Sequence, residues 1–272
     1  MLLALVALLP IRDVNLVAVG DVMLGRWVGR RIKREGVDSP FRSVAPLLRN
    51  ADLAVGNLEC ALTGAHFTVE KRFLLRASPA VAPALKRAGF GLLSLANNHS
   101  EDCGARGVKD SQRWLSAARI EPLGPSDQPV IVNRNGLRIG FMGLRDLPGF
   151  PRAKDAQVAA LRKQVDVLVV MIHWGIEESP RESPAQRKLA KKLAADGVDL
   201  ILGSHPHVLQ PIRWENHCLV AYSLGNFIFD ARPGKERESE ILSVKLGPHG
   251  VETYSTTPVS IVRGYPELQQ KK

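Results

Sequence analysis

Apolar runs of strand length alternate along this chain with segments whose apolar residues recur at helical spacing. Runs at Val14–Val19, Asp52–Gly56, Phe90–Ala96, Val130–Val132, Leu137–Met142, Val165–Ile172, Val198–Gly203 and Leu219–Leu224 predict strands. Those beginning at Phe90, Val165 and Val198 are nearly unbroken in apolar residues, the pattern of strands covered on both faces. Between the runs, Ser39-Pro40, Ser78-Pro79 and Ser183-Pro184 each set a capping hydroxyl before a proline suited to a first helical turn. Gly89 and Gly197 predict the ends of two helices. Strand alternating with helix implies α/β layering.

Two stretches break the alternation. Asn133-Arg134-Asn135-Gly136 joins two β-like runs and predicts a hairpin turn. After Glu240, the alternation from Ile241 to Leu246, the turn Gly247-Pro248-His249-Gly250 and the run Val251–Val262 predict antiparallel strands. No repeat or long linker interrupts the rest, so residues 13–265 are expected to form one domain. Residues 266–272 would be a polar tail, and residues 1–12 an apolar segment. Leu2–Leu9 is continuously apolar, which suits the remnant of a secretory leader, but no basic stretch precedes it and no clear cleavage site follows. No apolar run approaches the roughly 18 residues that span a bilayer.

Composition narrows the partners more than the fold. Lys and Arg number 37 against 27 Asp and Glu, a net charge of +10, which favours acidic substrates or anionic surfaces. Aromatic content is 6% and no nucleic-acid-binding module is present by motif, so nucleic acid is disfavoured as a partner. Part of the basic excess has a bland origin. Arg187, Lys188, Lys191 and Lys192 lie opposite Leu189, Leu193 and Ala194 on one helix and read as a solvated face. Cys60, Cys103 and Cys218 lack metal-ligand spacing and read as buried free thiols.

The chemistry sits where strands end. Gly20-Asp21, Asn57-Leu58-Glu59, Asn97-Asn98-His99, His173-Trp174-Gly175 and Gly203-Ser204-His205-Pro206-His207 each follow an apolar run. Ligands of open α/β sheets bind outside the carboxyl ends of the strands. One sheet edge would therefore gather two carboxylates, four histidines and an amide oxygen. Taken singly, Asp21 could be a helix cap, the asparagines a turn and His173 a packed core residue. His205 and His207 are less ambiguous, because an extended segment with a proline between them would turn both imidazoles toward neighbouring metal positions. Asp102, three residues after His99, can hold an imidazole tautomer. Imidazole and oxygen donors without thiolate suit zinc, manganese or iron, one or two ions per chain.

The series of motifs, extended by Ser223-Leu224-Gly225-Asn226-Phe227 and by Arg76-Ala77-Ser78-Pro79, resembles the CapA family of poly-γ-glutamate capsule biosynthesis proteins. That family is related to the calcineurin-like metallophosphoesterases, and the likeness runs in order from about Val14 to Asp230. It implies an α/β fold, a four-layer α/β/β/α sandwich with mixed sheets. It also implies roles: Glu59 as a bridging carboxylate, Asp21 and His207 on one metal, and Asn98, His173 and His205 on the other. His99, oriented by Asp102, would be a general acid, while Arg76 and Asn226 would face the pocket and touch substrate. Met23 stands where the phosphoesterases carry a first-motif histidine, so the first metal position would lose an imidazole.

The function so implied is a dinuclear-metal hydrolase cleaving a phosphoester or a γ-glutamyl amide in an acidic capsule or envelope polymer or its precursor. Capsule synthase subunits are candidate partners. The resemblance favours the cell envelope, and the incomplete leader leaves the cytoplasm open. A small-molecule phosphoesterase and a non-catalytic, polymer-binding envelope subunit are the competing readings.

Overall fold

The computed structural model describes residues 12–125, 128–149 and 155–269; the apolar run Leu2–Leu9 lies outside them. The chain begins with β1 (Val14–Val22), α1 (Arg26–Glu35), α2 (Ala45–Arg49), β2 (Leu53–Leu58), β3 (Ala61–Leu62) and β4 (Arg76–Ala77). It continues through α3 (Ala82–Ala88), β5 (Phe90–Ser94), α4 (Gly104–Ala117), β6 (Glu121–Leu123), β7 (Val130–Arg134), β8 (Leu137–Asp146), α5 (Asp155–Arg162) and β9 (Val167–Trp174). The last part comprises α6 (Pro184–Ala195), β10 (Leu200–Ser204), β11 (Leu209–Glu215), β12 (Cys218–Leu224), β13 (Asn226–Ile228), β14 (Glu238–Gly247), β15 (Gly250–Val262) and β16 (Tyr265–Leu268).

Two large mixed sheets carry these strands. The first runs β16-β15-β14-β1-β2-β5-β6, with β13 added beside the end of β1. The second runs β11-β12-β10-β9-β8-β7. Within the first, β1, β2, β5 and β6 are parallel neighbours. Within the second, β8, β9, β10 and β12 are parallel neighbours. The antiparallel strands include those read from the Asn133–Gly136 turn and from the alternation after Glu240.

Period-two alternation assigns the layers. In β1, Leu16 and Ala18 enter a core shared with Phe141, Val169 and Leu200 of the other sheet, while Val17 and Val19 pack with Val28 and Ile32 of α1. In β9, Val167, Val169 and Met171 face the shared core, and Leu168, Val170 and Ile172 pack with Leu189 and Leu193 of α6. Both central strands are thus buried on both faces, and the layers run helix, sheet, sheet, helix. At roughly 1.5–3 kcal/mol per fully buried large aliphatic side chain, this double burial dominates over any surface ion pair.

One helix start matches the sequence expectation, and other boundaries differ from it. Ser183 forms a full capping box with Gln186 at the start of α6. Ser39-Pro40 yields a single 3₁₀ turn without a side-chain cap. Residues 266–268 are not a polar tail, because Tyr265–Leu268 pairs with β15 as an edge strand. Strands β6 and β11 escape the apolar pattern because each is a sheet edge, partly exposed and interrupted by a proline, as edge positions permit.

Candidate metal centre

Both sheets deliver side chains to one common edge. Asp21 in β1 pairs in register with Asn57 of β2 and with Asn226 of β13. Glu59 follows β2, and Asn97, Asn98 and His99 follow β5. From the second sheet come His173 of β9, in register with Ser204 of β10, and then His205 and His207.

Close backbone packing explains two of the motif glycines. A Cβ on Gly20 would lie 1.9 Å from the Gly225 carbonyl oxygen, so β1 can run past that turn only without a side chain. The chain does not turn at Gly20; the strand continues through Val22. A Cβ on Gly203 would lie 2.1 Å from the Tyr222 carbonyl oxygen and 2.6 Å from Trp174 Nε1. Its absence lets the Trp174 indole donate to the Tyr222 carbonyl at 2.9 Å.

The Ser204–His207 segment is not extended. His205 and His207 have φ of 98° and 58°, the left-handed region that costs a non-glycine residue roughly 1–3 kcal/mol. Strained backbone on both sides of Pro206 brings the two imidazoles to 6.0 Å between ring centroids.

Glu59 lies at the centre. It is fully buried, and neither carboxylate oxygen has a hydrogen-bond partner. Its Oε1 is 3.8 Å from His173 Nε2, 3.8 Å from His207 Nε2 and 3.9 Å from His99 Nε2. Burial, reinforced by the Asp21 charge, pushes its carboxyl well above the usual range. A buried carboxylate without donors is strongly unfavourable, and a bound cation removes the penalty. The surrounding donors suit one. Asp21, Glu59 and His173 each present an atom within 4.8 Å of the others, and so do Glu177, His205 and His207.

The imidazoles are held from behind. His173 Nδ1 meets Ser204 Oγ at 2.9 Å, and its Nε2 lies 3.0 Å from Asn98 Oδ1 and 3.1 Å from His205 Nδ1. Burial and the neighbouring imidazoles push His173 down, and His205 down to about 4. His207 goes the other way. Burial would lower it, but the Glu59 charge and the contact with Asp21, Nδ1 to Oδ2 at 3.3 Å, raise it to about 10.

The family model described as bacterial capsule synthesis protein PGA_cap matches residues 15–231. The chain belongs to that family. The capsule biosynthesis protein CapA of Bacillus anthracis is 33% identical over 92% of this chain and 68% of its own length. The PGA biosynthesis protein CapA of Bacillus subtilis strain 168 is 31% identical over 93% of this chain and 73% of its own. Among solved structures, a hypothetical protein of Thermus thermophilus superposes with a TM-score of 0.59 at 15% identity, covering 93% of this chain and 99% of that one. A 5'-nucleotidase of Candida albicans superposes with a TM-score of 0.50 at 13% identity, covering 93% of this chain and 52% of that one. The four-layer α/β fold is thus of metallophosphoesterase type.

Within this family frame, Asp21, Glu59, Asn98, His173, His205 and His207 converge on one locus. His99 stands beside them, its Nδ1 2.8 Å from Asp102 Oδ2, and it lines a cavity of about 300 Å³ together with Arg72, Glu177 and His207. Burial would raise the Asp102 carboxyl, yet His99, Lys71 and the Leu75 backbone N–H together lower it.

Two residues lie otherwise than expected, and Met23, as expected, supplies no imidazole. Arg76 is absent from the lining of this cavity. Its guanidinium donates to the Ala65 carbonyl and lies 4.8 Å from the Phe67 ring centroid. Asn226 is fully buried, and its amide is committed: Oδ1 lies 3.0 Å from His207 Nδ1, and Nδ2 donates to the carbonyls of His207 and Glu236. It positions His207, and its amide groups are bonded within the protein. Met23 packs in the apolar core beneath α1, with its sulfur accepting from the Gly25 N–H.

Other residues were not assigned from sequence. Asn57 donates to Asp21 Oδ1 at 2.8 Å and accepts from Asn97 Nδ2 at 3.0 Å, tying two strand ends together. Asn97 also accepts from the His99 N–H through Oδ1. Both stand inside motifs whose flanking residues drew attention first. Lys71 bonds Asp102 Oδ1 at 2.8 Å and Glu177 completes a donor group; no local pattern marks either residue.

Proposed function

We propose that this chain is a metal-dependent hydrolase acting in the synthesis or processing of an acidic capsule polymer of the poly-γ-glutamate type. The orphaned carboxylate of Glu59, ringed by three imidazole nitrogens, carries the reading. The similarity to capsule and PGA biosynthesis proteins of Bacillus supports the pathway. The net charge of +10 suits a polyanionic substrate or its precursor, and capsule synthase subunits are the partners this pathway implies.

Asp21, Glu59, Asn98, His173, His205 and His207 would hold one or two ions of manganese, zinc or iron. Such ions supply Lewis acidity toward an attacked carbonyl or phosphoryl oxygen and lower the pKa of water. The protein's own residues do the rest. Glu59 supplies negative charge amid the imidazoles of His99, His173 and His207. Asp102 accepts a hydrogen bond from His99 Nδ1 and would balance the charge of a doubly protonated His99, whose Nε2–H faces the cavity and can pass to the leaving group. Arg72, at the cavity wall, has no carboxylate partner among the described residues and is placed to meet an acidic substituent.

One observation favours a second reading, a non-catalytic subunit that binds polymer through the same groups. Met23 offers no nitrogen and is packed away in the core. Metal analysis of purified protein, with assays on γ-glutamyl peptides and phosphoesters, separates the two. Stoichiometric metal with turnover that Glu59→Gln abolishes is the expected result. Metal-replete protein inert toward both substrate classes supports the second reading, and protein that binds no metal overturns both.

A further inference from the structure

The cavity beside His99 has a basic neighbour. A separate open groove of about 460 Å³ runs between α1 and the strip from Thr63 to Val81. Its cationic lining residues are Arg26, Arg30, Lys33 and Arg76, and no carboxylate residue is among those that line it. Arg26, Arg30 and Lys33 are spaced i, i+4 and i+7, so they stand in one row along the helix. Seven residues at 1.5 Å each make the row roughly 10 Å long.

Folding accounts for this row only in part: Lys33 in the last turn complements the helix dipole and Arg26 pairs with Asp230, but Arg30 has neither role. The first turn of α1 contains no acidic residue and begins with Arg26, which opposes the helix dipole. Arg31 is paired with Glu35 on another side of the helix, but Arg30 and Lys33 are exposed and have no carboxylate partner among the described residues. Arg26 itself has a φ of 50°, a strained start for a helix. Its side chain reaches Asp230 at 3.1 Å and lines both the His99 cavity and the groove. The two concavities therefore meet at one arginine.

We infer that this groove is a binding track for an extended acidic polymer, continuing the metal-centre cavity across α1 through Arg26. The inference rests on the polymer reading above and adds to it a surface that engages chain remote from the reacting bond. An anionic bilayer presents a plane, whereas these charges line a concavity suited to a single strand. The protein would accordingly discriminate acidic chains by length.

Fluorescence anisotropy with labelled γ-linked glutamate oligomers tests this. One oligomer has about two residues, roughly 12 Å when extended because each γ-linked residue runs through five backbone atoms, and the other about twelve. The full chain should bind the long oligomer more tightly than the short one. Arg30→Gln combined with Lys33→Gln should weaken long-chain binding about tenfold, the scale of two partly exposed charge pairs. It should also narrow the gap between the two oligomers. Lys188→Gln with Lys191→Gln, the same charge change on α6 against the other sheet, serves as control. Equal losses from the two double variants would reduce the effect to net charge and overturn the track. So would wild-type affinity in the α1 variant, or an effect of that variant on phosphatidylglycerol vesicle binding alone. Failure of the unaltered protein to bind either oligomer would instead sink the polymer reading itself.

Discussion

His205 and His207 are two residues apart, yet their surroundings pull them in opposite directions. On one side, Asn98, His173 and His205 form a neutral cluster in which burial depresses the imidazoles, His205 to about 4. On the other, Asp21 and Glu59 surround His207 with negative charge and hold its proton up to about 10. The first side is already deprotonated at neutral pH and preset to donate lone pairs. The second must release a proton before His207 can serve as a ligand. One centre therefore contains a neutral half and a charge-rich half, joined by Glu59.

The largest test of this division is Glu59→Gln. Glu59 lies within 4 Å of imidazoles from both halves, so its loss should remove metal from both, as read by elemental analysis. Asp21→Asn should empty only the charge-rich half. The reverse ranking would mean that Asp21 bridges the ions. Changing His205 and His207 together to alanine should also abolish bound metal while leaving circular dichroism near the unaltered protein.

Acidity gives the next test. His207 is raised in the folded, metal-free protein, so the stability it contributes is complete below about pH 6.5 and fades as pH climbs through about 10. His205 is lowered, so it destabilises the metal-free fold increasingly as pH falls from about 6.5 toward about 4. Calorimetric metal titrations between about pH 6 and 9 should show the charge-rich step strengthening with pH and the neutral step staying nearly flat. Two steps of identical pH slope would dissolve the comparison.

Smaller effects probe the supports. Asn57→Ala removes the tie between Asp21 and Asn97, and loss of such an outer partner typically lowers metal affinity roughly 10–100-fold. Met23→His should not add a ligand, since the side chain points into apolar packing. Burying an imidazole there should cost about 1–3 kcal/mol in a denaturant melt.

How much of this was legible in the sequence depended on whether the signal was local. The double-sided apolar runs of β5 and β9 and the capping box of α6 are written in consecutive residues, and they appear where the pattern puts them. The convergence of strand ends followed from the rule that parallel sheets expose their carboxyl edges. What could not be read was anything set by a partner far along the chain. Gly20 is required by Gly225, far along the chain, and Asn226 braces His207 through its amide oxygen. Arg76 shows the same limit, since only the folded loop reveals that Ala65 and Phe67 claim its guanidinium. The positive φ values at His205 and His207 left no trace in composition, because non-glycine residues are rarely placed there.

The centre draws Asp21, Glu59 and Asn98 from one sheet and His173, His205 and His207 from the other. These residues are as much as 186 positions apart in sequence, from Asp21 to His207. Such long-range closure is slow, because loop entropy is lost before any contact compensates for it. No fragment ending before His207 contains a complete set of donors, so a chain emerging from synthesis cannot capture its ions early. On the proposed metal-dependent reading, loading would follow the docking of the two sheets, and bound metal would then act as a clasp across their seam. Metal withdrawal should therefore first be felt as easier parting of the sheets, seen in hydrogen exchange at β1 and β10 before the outer helices loosen.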